Sequence, residues 1–315
     1  MRKNIVIIGT GGTIAGIQDN PERAEGYTSG ALNAADLVKS IQETEKLSET
    51  ADIKTEEFCN IDSCAMTPDI WLSLSLKTEA FLKDESTGGI VITHGTDTME
   101  ETAFFLALTV ARECERQKKS VILTGAMHPA TAKDADGPKN LIKAIELASS
   151  TDTVPGVHVV MNGQIYNPLR LVKTNPHDID AFSEAVGAPD PCPCFDLRKI
   201  TTLPSVEILD MYPGADLRLL KYVLEEVKPA GIVLSAPGNG TLTDKTVQTI
   251  RESSYKGIIF RASRTGRGPV TDALFDDKNI SKKPANLLCA GDMTPQKVRV
   301  LLMLLLASGE FSKNN

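Results

Sequence analysis

Residues 4–16 read NIVIIGTGGTIAG, an apolar β-branched run that breaks into glycines and threonines. A run of that kind closed by a tight glycine turn is a buried strand entering a loop, as at the start of an α/β domain. The spacing excludes both common phosphate loops. From Gly9 and Gly11 the third position of a dinucleotide fingerprint falls on Ile14, and Gly11 to Gly16 is followed by Ile17 where a P-loop needs lysine. Read alone, the turn is open to two readings. It is a plain strand-to-helix turn with Thr13 as a capping hydroxyl, or it is a device that presents Thr13 for chemistry.

The same strand pattern recurs as GIVITHG (89–95), SVILTGA (120–126), VHVVMN (157–162), GIVLSAPG (231–238) and GIIFRA (257–262). Between these runs lie helix-like segments, among them MEETAFFLALTVAREC (99–114), GPKNLIKAIELAS (137–149) and TPQKVRVLLMLLLAS (294–308). In the last, Thr294 and Pro295 form a start signal, cap then first helical position. Strands alternating with helices predict an α/β protein built on mainly parallel sheets. A proline-rich stretch, GAPDPCPCFDL (187–197), marks a boundary. The expected organisation is a larger flavodoxin- or Rossmann-like catalytic domain over 1–188, a linker over 189–211 and a smaller α/β domain over 212–315.

The 315-residue chain is 41% hydrophobic and 24% charged, with a net charge of −7. That balance fits a soluble globular protein and argues against a nucleic-acid partner. No run approaches the roughly 18 apolar residues of a membrane span, and MRKNIVIIGT is too short in its apolar part for a signal peptide. The six cysteines, Cys59, Cys64, Cys114, Cys192, Cys194 and Cys289, show no CxxC spacing. Reduced thiols, a cytoplasmic location and no metal site are therefore expected.

Ligands of open α/β sheets sit beyond the carboxyl ends of the strands. Those ends read GTGGT (9–13), HGTDT (94–98), GAMHP (125–129) and APGNG (236–240). In the second, Thr96 or Asp97 reads first as a cap of the next helix, with Glu100 and Glu101 favouring the helix dipole; the functional reading is a hydroxyl and a carboxylate facing the crevice of Thr13. GAMHPATAKDADGPKNL reads as mainly structural, with the backbone near Ala126 lining the crevice. Lys173 reads as a surface charge, or as a base if the crevice desolvates it.

Together these motifs resemble the bacterial-type L-asparaginase family. The resemblance rests on TGGTIAG, Tyr27 in GYTSG, VITHGTDTMEETAFFL, GAMHPATAKDADGPKNL, VKTN around Lys173 and GNGTL, and it runs from residue 4 to the C-terminal TPQKVRVLL. It implies an amidohydrolase that converts L-asparagine to L-aspartate and ammonia through a threonine-bound acyl-enzyme, without metal or organic cofactor. Some members also accept glutamine. Thr13 would be the nucleophile and Tyr27 its neighbour on a lid spanning Gly16 to Gly30. Thr96, Asp97 and Lys173 would relay a proton, and Ser63 and Asp97 would hold the substrate's α-carboxylate and α-ammonium. Gly12, Cys64 and Ala126 would line the site, and Asn239 would reach the active site of an adjacent subunit in a homotetramer of tight dimers.

Two positions depart from the secreted members. Cys64 stands where they usually carry Gln, and Leu274 where they often carry Glu or Ser; NIDSCAMTP is closer to the cytoplasmic type, which argues against very tight substrate binding. Two other readings use the same scaffold. One is a non-catalytic amino-acid-binding protein; the other is the amidase subunit of a tRNA transamidation complex, which would carry an additional N-terminal domain.

Overall fold

The computed structural model describes residues 3–18, 26–42, 51–184 and 193–309. The chain divides into two compact units, Met1–Glu184 and Ala185–Asn315. Each is an α/β unit on a mainly parallel sheet.

In the first unit, β1 (Lys3–Gly11) runs into the glycine turn, followed by a small hairpin of β2 (Ile17–Gln18) and β3 (Tyr27–Thr28). Then come α1 (Ala34–Gln42), β4 (Ala51–Ile61), α2 (Pro68–Lys83), β5 (Thr87–Thr93), α3 (Met99–Gln117), β6 (Ser120–Thr124) and α4 (Gly137–Ser149). The unit closes with β7 (Gly156–Met161), β8 (Gln164–Tyr166), β9 (Leu171–Lys173) and β10 (Phe182–Glu184). The main sheet has the order β4-β1-β5-β6-β7-β8 and is parallel except where β8 turns back on β7. β9 and β10 form a separate antiparallel pair.

The first five strands follow the doubly wound order in which the chain steps to one side of β1 and then to the other. The reversal opens a crevice between the carboxyl ends of β1 and β5. One face of the sheet is filled by Ile5, Ile7, Val91, Ile122 and Val160 against α1 and α4. The alternate residues Val6, Ile8, Ile90, Ile92, Val121 and Leu123 are equally buried, as the two-residue period of a strand covered on both faces requires.

α2 and β4 do not stand out in the sequence. The buried face of α2 includes Ser75 and Thr78 among Trp71, Leu72, Leu74 and Leu82, so its apolar stripe is interrupted. The polar groups are used. Ser75 Oγ bonds Thr109 Oγ1 at 2.7 Å, and Trp71 Nε1 donates to Thr102 Oγ1 at 2.8 Å, both across to α3. β4, ADIKTEEFCNI, is an edge strand that is only half buried.

The second unit carries β11 (Val206–Asp210), α5 (Leu217–Tyr222), β12 (Gly231–Ala236), α6 (Asp244–Glu252), β13 (Ile258–Ser263), β14 (Leu287–Cys289) and α7 (Pro295–Ser308). Its sheet is parallel throughout, in the order β11-β12-β13-β14. α5 continues as a π-helical turn, Val223–Val227, and Lys228 ends it in the left-handed region. Thr294 caps α7 through its side chain, accepting from the Lys297 amide, with Pro295 at the first turn. Part of the expected 189–211 linker lies outside the described residues; Val206–Asp210 near its end forms β11. Among the described residues no helix is long and apolar enough to cross a membrane. Cys59, Cys64, Cys114, Cys194 and Cys289 are free thiols, and Cys192 lies outside the described residues.

Candidate active site

Gly11 and Gly12 have φ of +92° and +83°, values that L side chains rarely adopt, and they swing the chain out of β1 into a 3₁₀ turn over Thr13–Ala15. A Cβ on Gly12 would collide with the backbone of Gly95, so the turn carrying Thr13 lies directly against the one carrying Thr96. Gly95 is itself crowded on its other side, where a Cβ would lie 2.7 Å from Ser63 Oγ. The glycines therefore let three strand ends, those of β4, β1 and β5, meet backbone to backbone. The Gly12 amide donates to Ile61 O at 3.0 Å, which ties the turn to the end of β4.

Thr13 is 9% exposed, and its Oγ1 lies 2.7 Å from Tyr27 Oη, within a hydrogen bond in which either oxygen can donate. Tyr27 pairs with Gln18 in the β2–β3 hairpin. Its ring passes over Gly16, where a Cβ would come 2.7 Å from Tyr27 Cδ2. Residues 19–25 of the expected lid lie outside the described residues.

The second cluster is equally close. Lys173, the last residue of β9, donates from Nζ to Thr96 Oγ1 at 2.9 Å and to Asp97 Oδ1 at 2.6 Å. Its side chain is 12% exposed against 64% for Asp97, so the lysine is sheltered while the carboxylate faces solvent. The capping reading of Thr96 and Asp97 does not hold. Thr98 occupies the cap position of α3 without a side-chain bond, and its hydroxyl donates to Ser63 O at 2.8 Å instead. Glu100 carries a role that its sequence position hid. Its carboxylate accepts the Lys173 amide at 2.6 Å, fixing the end of β9 beside the start of α3.

Ser63 is buried and Cys64 is exposed, on a short 3₁₀ turn capped by Asp62. The Asp62 carboxylate beside it raises the Cys64 thiol above its ordinary range, which keeps it protonated and a poor nucleophile. Ala126 is fully buried in the core that contains Ile14. That loop is held by Asp136, which accepts from the Met127 amide at 3.1 Å and the His128 amide at 3.0 Å, while Asn140 donates to Gly125 O at 3.1 Å. These bonds fix the conformation of the motif's loop. His94 is fully buried behind the crevice, with Nδ1 2.7 Å from Gly95 O, and burial pushes its pKa down to about 4. The ring stays neutral over the ordinary pH range and can donate from Nδ1 to that carbonyl.

Asn239 belongs to the second unit, where its carboxamide bonds Thr271. Leu274 packs there with Phe275 against the apolar core. Among the described residues, no three His, Cys, Asp or Glu gather closely enough to hold a metal ion.

Comparison with known proteins finds relatives over nearly the whole chain. The family model described as Asparaginase, N-terminal matches residues 4–190, and that for the Glutaminase/Asparaginase C-terminal domain matches residues 205–314. L-asparaginase 2 of Escherichia coli is 36% identical over 96% of this chain and 88% of its own length. L-asparaginase 2 of Bacillus subtilis is 33% identical over 96% and 82%. The crystal structure of a probable cytoplasmic L-asparaginase from Campylobacter jejuni superposes with a TM-score of 0.82 at 35% identity, covering 99% of this chain and 100% of that one. A fold, a crevice and two family models that together span nearly the whole chain lead to one conclusion: the chain belongs to the asparaginase family.

Proposed function

We propose that the protein is an L-asparaginase, hydrolysing the side-chain amide of L-asparagine to L-aspartate and ammonia with Thr13 as nucleophile. The observation that carries this reading is the pair of bonded clusters on touching turns, Thr13 with Tyr27 and Lys173 with Thr96 and Asp97. A threonine hydroxyl attacks poorly unless its proton has somewhere to go, and the Tyr27 hydroxyl is the acceptor already in place.

In the first half-reaction Thr13 Oγ1 adds to the amide carbon and its proton passes to Tyr27 Oη. The Tyr27 proton moves to the amide nitrogen, the C–N bond breaks and ammonia leaves, with an aspartyl ester on Thr13. In the second, water adds to the ester carbon and gives up a proton through the Thr96–Lys173 pair. The ester C–O bond then breaks, and that water-derived proton is passed on to Thr13 Oγ1, which restores the hydroxyl as aspartate leaves. The Gly12 amide is committed to Ile61 O, so the developing oxyanion relies on the remaining donors of the turn, each worth about 3–4 kcal/mol in comparable sites. Ser63 and Asp97 hold the substrate's α-carboxylate and α-ammonium, and Cys64 and Ala126 line the site.

Asn239 serves the site of an adjacent copy in a homotetramer that sedimentation velocity would detect. A cytoplasmic location follows the resemblance of NIDSCAMTP to the cytoplasmic type and is open to cell fractionation. Thr13→Ala should fold as wild type and lose ammonia release by a factor on the order of 10³ or more, with asparagine and glutamine assayed in parallel. Turnover within tenfold of wild type would overturn the assignment.

A further inference from the structure

We propose that Arg261 is a positioning residue that sets the conformation in which Asn239 is presented to substrate. The inference rests on the reading of Asn239 given above and adds the residue that makes it possible. Arg261 lies on β13 with no exposed surface. Burying a guanidinium is unfavourable unless its donors are satisfied, so its partners indicate why the fold keeps it. Nη1 donates to Asn239 O at 3.2 Å and to Gly240 O at 2.8 Å. Nη2 donates to Thr271 O at 2.8 Å and to Cys289 Sγ at 3.2 Å, and it lies 3.5 Å from Asp272 Oδ1. The ring of Phe275 lies 5.2 Å from the guanidinium carbon.

One buried cation thus joins two segments some thirty residues apart, the 239–240 turn and the 271–272 stretch. The Asn239 side chain closes the same junction at the surface. Its Oδ1 accepts the Thr271 amide at 2.7 Å and its Nδ2 donates to Thr271 Oγ1 at 3.1 Å. Gly238 and Gly240 turn the chain at φ of +54° and +60°, and Ser263 Oγ bonds Gly238 O at 2.6 Å. Asn239 is therefore the half-buried tip of a turn whose backbone carbonyls are held from beneath by a planar fork. A lysine ammonium carries its three donors on one nitrogen and cannot reach the two sides of that junction as a planar fork does.

The test is a double-mutant cycle on the full chain, with KM and kcat for asparagine measured for Asn239→Ala, Arg261→Lys, Arg261→Met and the doubles with Asn239→Ala. The expected result is that Asn239→Ala and each Arg261 variant raise KM by about tenfold while kcat stays within about twofold. In the Asn239→Ala background the Arg261 changes should add nothing further to KM, whatever they do to thermal stability. Arg261→Lys, which keeps the buried charge, carries the comparison if Arg261→Met does not accumulate as folded protein. An unchanged KM in Arg261→Lys, or effects that multiply in the double variant, would overturn the positioning role while leaving Asn239 in place. An unchanged KM in Asn239→Ala would instead remove the role of Asn239, and the proposal with it.

Discussion

His94 shows at the scale of one residue how the crevice depends on what lies behind it. It is fully buried, its pKa is lowered to about 4 from 6.5, and it bonds the carbonyl of Gly95, the residue that the Thr13 turn rests on. Because the folded state resists protonating it, its contribution is complete above pH 6.5, is lost as pH falls towards 4 and changes no further below that. The difference corresponds to about 3 kcal/mol. His94→Asn, which keeps a donor and does not titrate, should flatten the decline of unfolding free energy with pH in that window; parallel curves for the two proteins would contradict the assignment. The main catalytic candidates were legible in the sequence because Thr13, Thr96 and Asp97 follow strands directly. Glu100 was not. Its partner, the Lys173 amide, lies 73 positions away, and a glutamate at a helix start has an adequate local explanation in the helix dipole.

Among the elements, the buried strands and the amphipathic helices were readable from their periods, since both reflect which faces are covered. The elements that escaped did so for identifiable reasons. β4, β11 and β14 are at sheet edges or short, with too few covered positions to produce an apolar run. α2 hides its stripe by placing Ser75 and Thr78 on the buried face, where hydroxyls serve α3 or the preceding turn. That arrangement predicts a cost when one side is removed. Trp71→Phe keeps a ring to stack on Phe105, at 5.8 Å between centroids, but takes away the donor to Thr102 Oγ1. Leaving that buried hydroxyl short of a partner should cost about 1–3 kcal/mol, read as a lowered urea midpoint by circular dichroism. An unchanged midpoint would mean that the bond contributes nothing net.

For the molecule as a whole, the sequence indicated two α/β units and the structure divides at Glu184. The first unit holds both hydroxyl clusters on neighbouring strand ends, and the second holds Asn239 over the buried Arg261. Alternating strands and helices were enough to give the class, but not the convergence, which depends on backbone contacts such as Gly12 against Gly95 that no periodicity records. The proposed function requires an acyl-enzyme on Thr13. It is tested most directly by acid-quenching the enzyme during turnover of L-asparagine and mapping the peptides by mass spectrometry. An aspartyl ester is expected on the peptide containing Thr13 and is expected to be absent from Thr13→Ala. An ester found on the peptide containing Thr96, and still formed by Thr13→Ala, would contradict it.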